Sequence, residues 1–414
     1  MKEKKNRRAD KSAVPQKTGE TAKPAPVTTE TKEARWVNMM IIRAVREHAT
    51  DIHVGQGPKG LTVSFRVDGA LHSVPAPEMD LQPAVVSRLK KMARMKLEDE
   101  RVPRDGRFGA IVDSREIDFR VHILPTSYGE SMTLRLLDRA TLIPMDKLGF
   151  SSAAMTSLRK MMEKPRGMIL VAGPAGSGKT MTLYAMLAEL AKSDKKVVTL
   201  EYPIEYDLPN VIQSQIDPRT GYDYTAALRV IARQDPDVVM VGGLEDADTA
   251  KAALQTVLGG HLVLSSIHAN DAAEATARLL SMGIDPLLLG AGLEGIVEQR
   301  VLRRVCPSCK ERVAPSKHEA GWLGLKPGQK LVKGRGCDEC RNTGYKGRVG
   351  VFAVLPATEE FRDLVLTRPE PAALRRFYRT AEVGALYQES ANKAKAGLTT
   401  LDEVLRVTPP WPSL

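Results

Sequence analysis

Cysteine is scarce in this chain of 414 residues: there are four, all between Cys306 and Cys340. That leaves nothing for a disulfide framework spread through a fold. Two close pairs in one segment point to a bound metal in a reducing compartment. Long apolar runs are also missing. No stretch approaches the roughly 18 apolar residues needed to cross a bilayer. The basic start, "MKEKKNRR", is not followed by the apolar segment of a secretory signal. These absences predict a cytoplasmic protein. The first 34 residues hold almost no large apolar side chains, but carry nine Lys and Arg against five Asp and Glu, with Pro15, Pro24 and Pro26. Such a segment cannot bury enough to fold, so residues 1–34 read as a disordered basic tail, either solvated or touching acidic headgroups or nucleic acid. An acid is missing where the apolar run "DVVMV" ends, because Gly242 and Gly243 follow it.

What remains is ordinary for a globular protein, with 43% hydrophobic and 27% charged residues and a net charge of +11. The length allows two or three domains. "WVNMMIIRAVREHATDIHV" has the apolar spacing of an amphipathic helix and leads into alternating strands around the turn "DGA". A second helix and three more strands complete a small α+β domain over residues 35–145. From about Ser151, helical stretches alternate with the short apolar strands "GMILVAG", "KVVTLE", "DVVMVG" and "HLVLSSIH". That alternation predicts an α/β domain over 146–414 with a mainly parallel sheet. The cysteines lie in a lobe at about 303–350, and no internal repeat is visible.

"GPAGSGKT" follows a strand and opens a helix, the setting that gives GxxxxGK[ST] its meaning. Its residues are Gly173, Pro174, Ala175, Gly176, Ser177, Gly178, Lys179 and Thr180. The glycines let backbone N–H groups turn inward onto phosphate oxygens, and the helix N-terminus adds partial positive charge. Lys179 faces the β- and γ-phosphates of ATP, and Thr180 offers its hydroxyl to Mg²⁺. Cys306, Cys309, Cys337 and Cys340 form two CxxC pairs, the ligand set of a closed, structural Zn²⁺ site.

At this point the chain resembles the type II secretion and type IV pilus assembly ATPase family. The resemblance runs from about Val37 to Val407 through "ATDIHVG", "FRVDG", "EDERVPRDGRF", "LPTSYGESMTLRLL", "RQDPDVVMVG", "GGHLVLSSIHANDA", "EQRVLRRVCPSC" and "NTGYKGRVGVF". It implies a RecA-like P-loop ATPase domain behind a PAS-like N-terminal domain, and a hexameric ring, homomeric or shared with a second ATPase. Such a ring would act on an inner-membrane platform protein to assemble pili or pseudopili, with the subunit peripheral to that membrane. The cysteine module tilts the reading toward assembly over retraction. The family's extra N-terminal docking domain is not recognised, so recruitment through the first 34 residues is expected. No nucleic-acid module is recognised either.

The departures bear on the chemistry. The family's Walker B glutamate is Gly243 here, and the arginine expected two residues later is Glu245. In the acidic box "EYPIE", Glu201 and Glu205 remain but Tyr202 replaces an aspartate. Gly55 and Ala353 stand where the family commonly shows glutamate. A positioned base is worth about 10²- to 10⁴-fold in rate, so binding is expected to survive and turnover to slow. Two carboxylates could take over. Glu245 lies two residues on and on the same face of an extended segment, although it also reads as a surface acid paired with a neighbour. Glu201 is placed beside the nucleotide by the resemblance. The resemblance also implies a γ-phosphate-sensing role for His268 and His261, and a second-shell Mg²⁺ role for Asp237. Arg66, Arg104, Arg107, Arg120 and Arg135 are arginines that the family directs at bound phosphate, and the sequence does not rank them.

Overall fold

The computed structural model describes residues 31–98, 102–138, 142–380 and 386–409. The basic tail lies outside the described residues as far as residue 30, and helix α1 (Lys32–Arg46) begins inside the segment read as tail. Its buried residues, Val37, Met40, Ile41, Ala44 and Val45, fall three and four apart on one face. That face and helix α2 (Gln82–Met92) cover a sheet of six antiparallel strands in the order β3-β2-β1-β6-β5-β4. The strands are β1 (Asp51–Gly57), β2 (Gly60–Val67), β3 (Ala70–Val74), β4 (Arg104–Val112), β5 (Arg115–Thr126) and β6 (Gly129–Asp138). Asp68 and Gly69, both at positive φ, make the tight turn between β2 and β3.

The second unit follows the predicted alternation. Its sheet runs β15-β12-β7-β11-β10-β8-β9, parallel throughout except where β15 pairs with β12. The strands are β7 (Gly167–Ala172), β8 (Val197–Glu201), β9 (Val211–Gln215), β10 (Val238–Val241), β11 (Leu262–Ile267), β12 (Leu293–Val305) and β15 (Tyr345–Pro356). Every residue of β7, β8, β10 and β11 is buried, as continuous apolar runs in a parallel sheet require. Helices α3 (Ser152–Met162) and α4 (Lys179–Leu190) pack on one face. Helices α5 (Tyr224–Ile231), α6 (Ala247–Leu258), α7 (Ala272–Ser281) and α8 (Pro286–Gly292) pack on the other. Met145 and Leu148, on either side of the boundary read between the two domains, already belong to this core.

Strands β12 and β15 form a long ribbon, and the cysteine lobe is inserted at its far end. The lobe contains β13 (Lys310–Val313), α9 (Lys317–Leu323) and β14 (Leu331–Gly334). After α10 (Glu359–Leu366) and α11 (Pro371–Thr380), helices α12 (Leu386–Lys395) and α13 (Leu401–Val407) pack back onto the ribbon. The two units touch through polar groups. The Asp68 carboxylate accepts from the Gly347 amide at 2.7 Å and lies 3.5 Å from Arg348. Glu47 pairs with Arg341, and Arg120 donates to the Ile204 carbonyl at 2.8 Å. Among the described residues no helix is long and apolar enough to cross a membrane.

Candidate nucleotide-binding site

The loop from Gly173 to Thr180 leaves the buried end of β7 and enters α4. Gly176 and Gly178 sit at φ +75° and +87°, where a Cβ is strained. A Cβ on Gly173 would lie 2.4 Å from Ser177 Oγ and 2.7 Å from the Gln299 carbonyl, so only glycine closes the loop against β12. Among the described residues no side chain caps the first amides of α4, leaving them directed at the loop. Lys179 is buried, and its Nζ donates to the Gly173 and Pro174 carbonyls at 2.8 and 3.1 Å and lies 3.4 Å from His268 Nδ1. Burial, reinforced by the field of Arg300, pulls the Lys179 ammonium down to about 8. Burial and the nearby Lys179 likewise hold His268 below its usual range, which favours the neutral ring that can accept from an ammonium. Ser177 Oγ is buried with no hydrogen-bond partner among the described residues, an expensive arrangement unless the loop receives a polar ligand. These groups fit a polyphosphate, and Thr180 at the start of α4 fits a Mg²⁺ ligand.

Beyond β10 the chain passes through Gly242 and Gly243, pinned by Gly242 N to Leu200 O and by Leu244 N to Ser266 O, each 2.9 Å. The two glycines differ in their surroundings. A Cβ on Gly242 would meet the Tyr224 hydroxyl at 2.7 Å, whereas one on Gly243 would meet nothing closer than Ser266 Oγ at 3.5 Å. The next contacts of that Gly243 Cβ are Glu245 itself, Cγ at 3.8 Å and Oε1 at 3.9 Å. The Glu245 side chain therefore turns back toward the place where a residue-243 side chain would begin. It is exposed, has no hydrogen-bond or ion-pair partner among the described residues, and its charge is felt by both His268 and Tyr224.

The acidic box is arranged differently. Glu201 is buried, and its carboxylate accepts from Tyr184, from Thr199 at 2.6 Å and from Gln213 at 3.0 Å. The Tyr184 oxygen in turn accepts from the amides of Glu205 and Tyr206. Glu201 thus braces the 201–206 segment and has no free face for water. Burial raises the Glu205 carboxyl, and Arg120 and Arg135 act against that rise.

Register decides the arginines. Arg66 pairs with Asp51, Asp51 with Arg135, Arg135 with Arg120, and Arg120 with Arg107, so four arginines and one acid form a row across β2-β1-β6-β5-β4. Arg135 is held by Asp51 at 2.9 Å, Arg66 donates to the Gly69 carbonyl, and Arg107 is exposed. Arg104 stands outside the row. It is locked with Lys90 onto buried Glu130 inside the N-terminal unit. The fold also does not bring Asp237 or His261 to the phosphate loop. Both precede their strands, with Asp237 accepting from the Lys196 amide and His261 Nδ1–H donating to the Pro236 carbonyl at 2.7 Å. His261 adjoins Gly167, six residues and roughly 20 Å of strand from the loop.

In the lobe, the four cysteine sulfurs lie within 4.8 Å of one another. The separations Cys306–Cys337, Cys309–Cys340 and Cys337–Cys340 are 3.9, 3.8 and 3.7 Å. Zn–S bonds of about 2.3 Å in a tetrahedron place sulfurs about 3.8 Å apart, so the set fits zinc. Amides of Cys337 and Gly344 donate to the Cys340 sulfur at 3.2 Å each, the outer-shell support a thiolate needs.

Residues 28–406 match the family described as Type II/IV secretion system protein. The Type II secretion system ATPase E of Vibrio cholerae serotype O1 is 40% identical over 375 residues, covering 90% of this chain and 74% of that relative. The Type II secretion system protein E of Pseudomonas aeruginosa is 41% identical over 377 residues, covering 90% and 75%. The chain belongs to the type II/IV secretion system protein family. Two solved structures share the fold. The ATPase DotB of Yersinia pseudotuberculosis superposes with a TM-score of 0.69 at 19% identity, over 93% of this chain and 96% of that one. The pilus retraction motor PilT with bound ADP gives 0.62 at 23% identity, over 90% and 96%.

Within this secretion family member, sequence reasoning missed Tyr184, Gln299 and Arg300. Tyr184 lies inside an apolar helix and reads as core. Gln299 and Arg300 lie in "EQRVLRRVCPSC", where the cysteines draw the eye, and only the pairing of β12 with β7 brings them to the phosphate loop.

Proposed function

We propose that this secretion family member is a subunit of a cytoplasmic ring motor that hydrolyses ATP to drive assembly of a type IV pilus or type II secretion pseudopilus. The observation that carries the reading is the loop itself, where buried Lys179 is held by two carbonyls and the uncapped amides of α4 converge with an unpartnered Ser177 hydroxyl. Bound Mg-ATP supplies the phosphoryl group and the metal's charge. Lys179 and the loop amides leading into α4 hold the triphosphate tail, and Thr180 holds the metal. Glu245 orients the attacking water and takes its proton, standing in for the side chain Gly243 lacks, with His268 beside it. Glu205, in the segment after β8, and the arginine row of Arg66, Arg107, Arg120 and Arg135 in the N-terminal unit complete the site. Glu201 keeps the acidic box in shape. The zinc lobe is structural. The ring is a hexamer, homomeric or mixed with a second ATPase, and it meets the inner membrane through a platform protein.

A second reading rests on Gly243. With no carboxylate at that position, the subunit binds ATP and shapes the ring without useful turnover. Steady-state hydrolysis by wild type and Lys179→Ala, alongside Mg²⁺-dependent ATP binding, separates the two. Turnover abolished by Lys179→Ala supports the motor, tight binding without turnover supports the second reading, and an absence of Mg²⁺-dependent binding removes both.

A further inference from the structure

Three consecutive residues of β12 tie the phosphate loop to the loop after β11. Gln299 Nε2 donates to the Ser177 carbonyl at 2.8 Å, and the Gln299 carbonyl closes against Gly173. Arg300 donates through Nη1 to that carbonyl at 2.9 Å and through Nη2 to the Asn270 carbonyl at 2.6 Å, two residues past His268. Glu298 accepts from the Ala272 amide at 2.6 Å, at the first turn of α7. Its direct cross-strand partner is Ala353, the position where the resemblance leads one to expect a glutamate. The acid is present on the opposite strand of the same pair.

The two cations of this region share an unusual environment. Lys179 is held by carbonyls and His268 Nδ1, and Arg300 by carbonyls alone. Neither has a carboxylate within ion-pair distance among the described residues. Glu298, Asp271 and Glu274 act on Arg300 only from farther away. Burial lowers the pKa of both cations, and the positive charge of Arg300 adds to the effect on Lys179. Holding two like charges within each other's field, partly out of water and with no carboxylate at ion-pair distance, is unfavourable by itself. The arrangement becomes favourable when a multiply charged anion lies between them.

We propose that Arg300 is a second cation of the triphosphate site, supplied from β12 within the same subunit and donating to the terminal phosphate. It uses N–H groups not engaged by Gln299 and Asn270, since a guanidinium carries five. This role is separate from that of the arginine row in the N-terminal unit. A β12 cation also explains the bracing around it. Gln299 fixes the loop that carries Lys179, Glu298 fixes the start of α7, and Arg300 spans the two where the outermost phosphate would sit. The proposal rests on the nucleotide reading of the loop.

Calorimetry with the full chain and Mg²⁺ tests it, using ADP and the slowly hydrolysed analogue ATPγS. Arg300→Gln keeps a donor for the Asn270 carbonyl but loses the charge. It is expected to weaken ATPγS at least about tenfold and ADP less than about threefold. Arg300→Lys should fall between wild type and Arg300→Gln. Equal losses for both nucleotides would make Arg300 merely a brace for the 268–272 loop and overturn the proposal, as would no loss for either. If circular dichroism shows Arg300→Gln unfolded, the ATPγS-to-ADP affinity ratio of Arg300→Lys decides, and an unchanged ratio overturns the assignment. Wild type binding neither nucleotide would overturn the underlying reading itself, and Lys179→Ala marks that case by behaving like wild type.

Discussion

At the scale of single residues, the missing acid and its neighbour make a quantitative case. Glu245 Oε1 lies 3.9 Å from where a Gly243 Cβ would stand. Adding glutamate at 243 alone would put two carboxylates in one space, and one of them would take up a proton. The informative variant is therefore the exchange. Gly243→Glu with Glu245→Gln is expected to raise turnover several-fold or more over wild type, whereas Glu245→Gln alone should lower it by about 10²-fold with little change in ATP affinity. Single-turnover hydrolysis checks both. Lys179 gives a second prediction. Its ammonium stands near 8 without phosphate, and a bound triphosphate must raise it. Binding at pH 8 should then take up about half a proton, and affinity should fall as pH climbs from about 7 to 9. Calorimetry in buffers of different ionisation heat reads that uptake, and Lys179→Arg should abolish it.

Some residues were legible because one chemistry demands one residue type. Only glycine closes the loop at 173, 176 and 178, and only paired thiolates make a four-sulfur site, so both could be read without a fold. Others depend on a property that no short window contains. The arginines could not be ranked because their order is set by strand register, which leaves Arg104 outside the row and buried on Glu130. Asp237 and His261 are instructive for another reason. They precede their strands, while the phosphate loop follows one, and in a parallel sheet those are opposite edges. Direction along the strand, visible in the sequence, already separated them from the loop.

At the scale of elements, β12 carries most of what the sequence concealed. Burial pushes the Glu298 carboxyl up to about 7, against the Ala272 amide and Arg300, with Asp271 adding to the rise. Tyr378 also feels that charge. The neutral form is the one the fold favours, so the associated stability is present below the unfolded value near 4.5 and is lost as pH rises through about 7. Glu298→Gln should therefore gain on wild type between pH 5 and 9, by about 3 kcal/mol at most, as read by urea unfolding at each pH. The lobe at the ribbon's end makes a separate prediction. Its cysteine cluster is a satellite core of only four residues, so Cys309→Ser should release one zinc per chain and lower the melting temperature by several degrees. Metal analysis and thermal unfolding check this, while Mg-ATP affinity should stay within about threefold of wild type.

At the scale of the whole molecule, the α/β class and the mainly parallel sheet were legible, because short, mostly apolar strands alternating with amphipathic helices have few other solutions. The way the two units meet was not, since it depends on a handful of polar contacts. Asp68, at the tip of the β2–β3 turn, is one of them, accepting from Gly347 and facing Arg348. Asp68→Ala should weaken the contact by roughly 1–2 kcal/mol. The readout is a several-fold faster limited proteolysis between the units, with the melting temperature of the ATPase unit unchanged.

The arginine row has a consequence for how this protein tolerates change. Adjacent side chains on a strand point to opposite faces, so the four guanidiniums share one side only while every hydrogen-bonded rung stays in step. A single amino acid inserted into the Thr126–Gly129 connection would shift β6 against β5 by one place. Arg135 would then face the helices, and apolar partners would turn outward with it. Short indels in this sheet should be far more damaging than any one arginine replacement, because they would dismantle the whole comb at once.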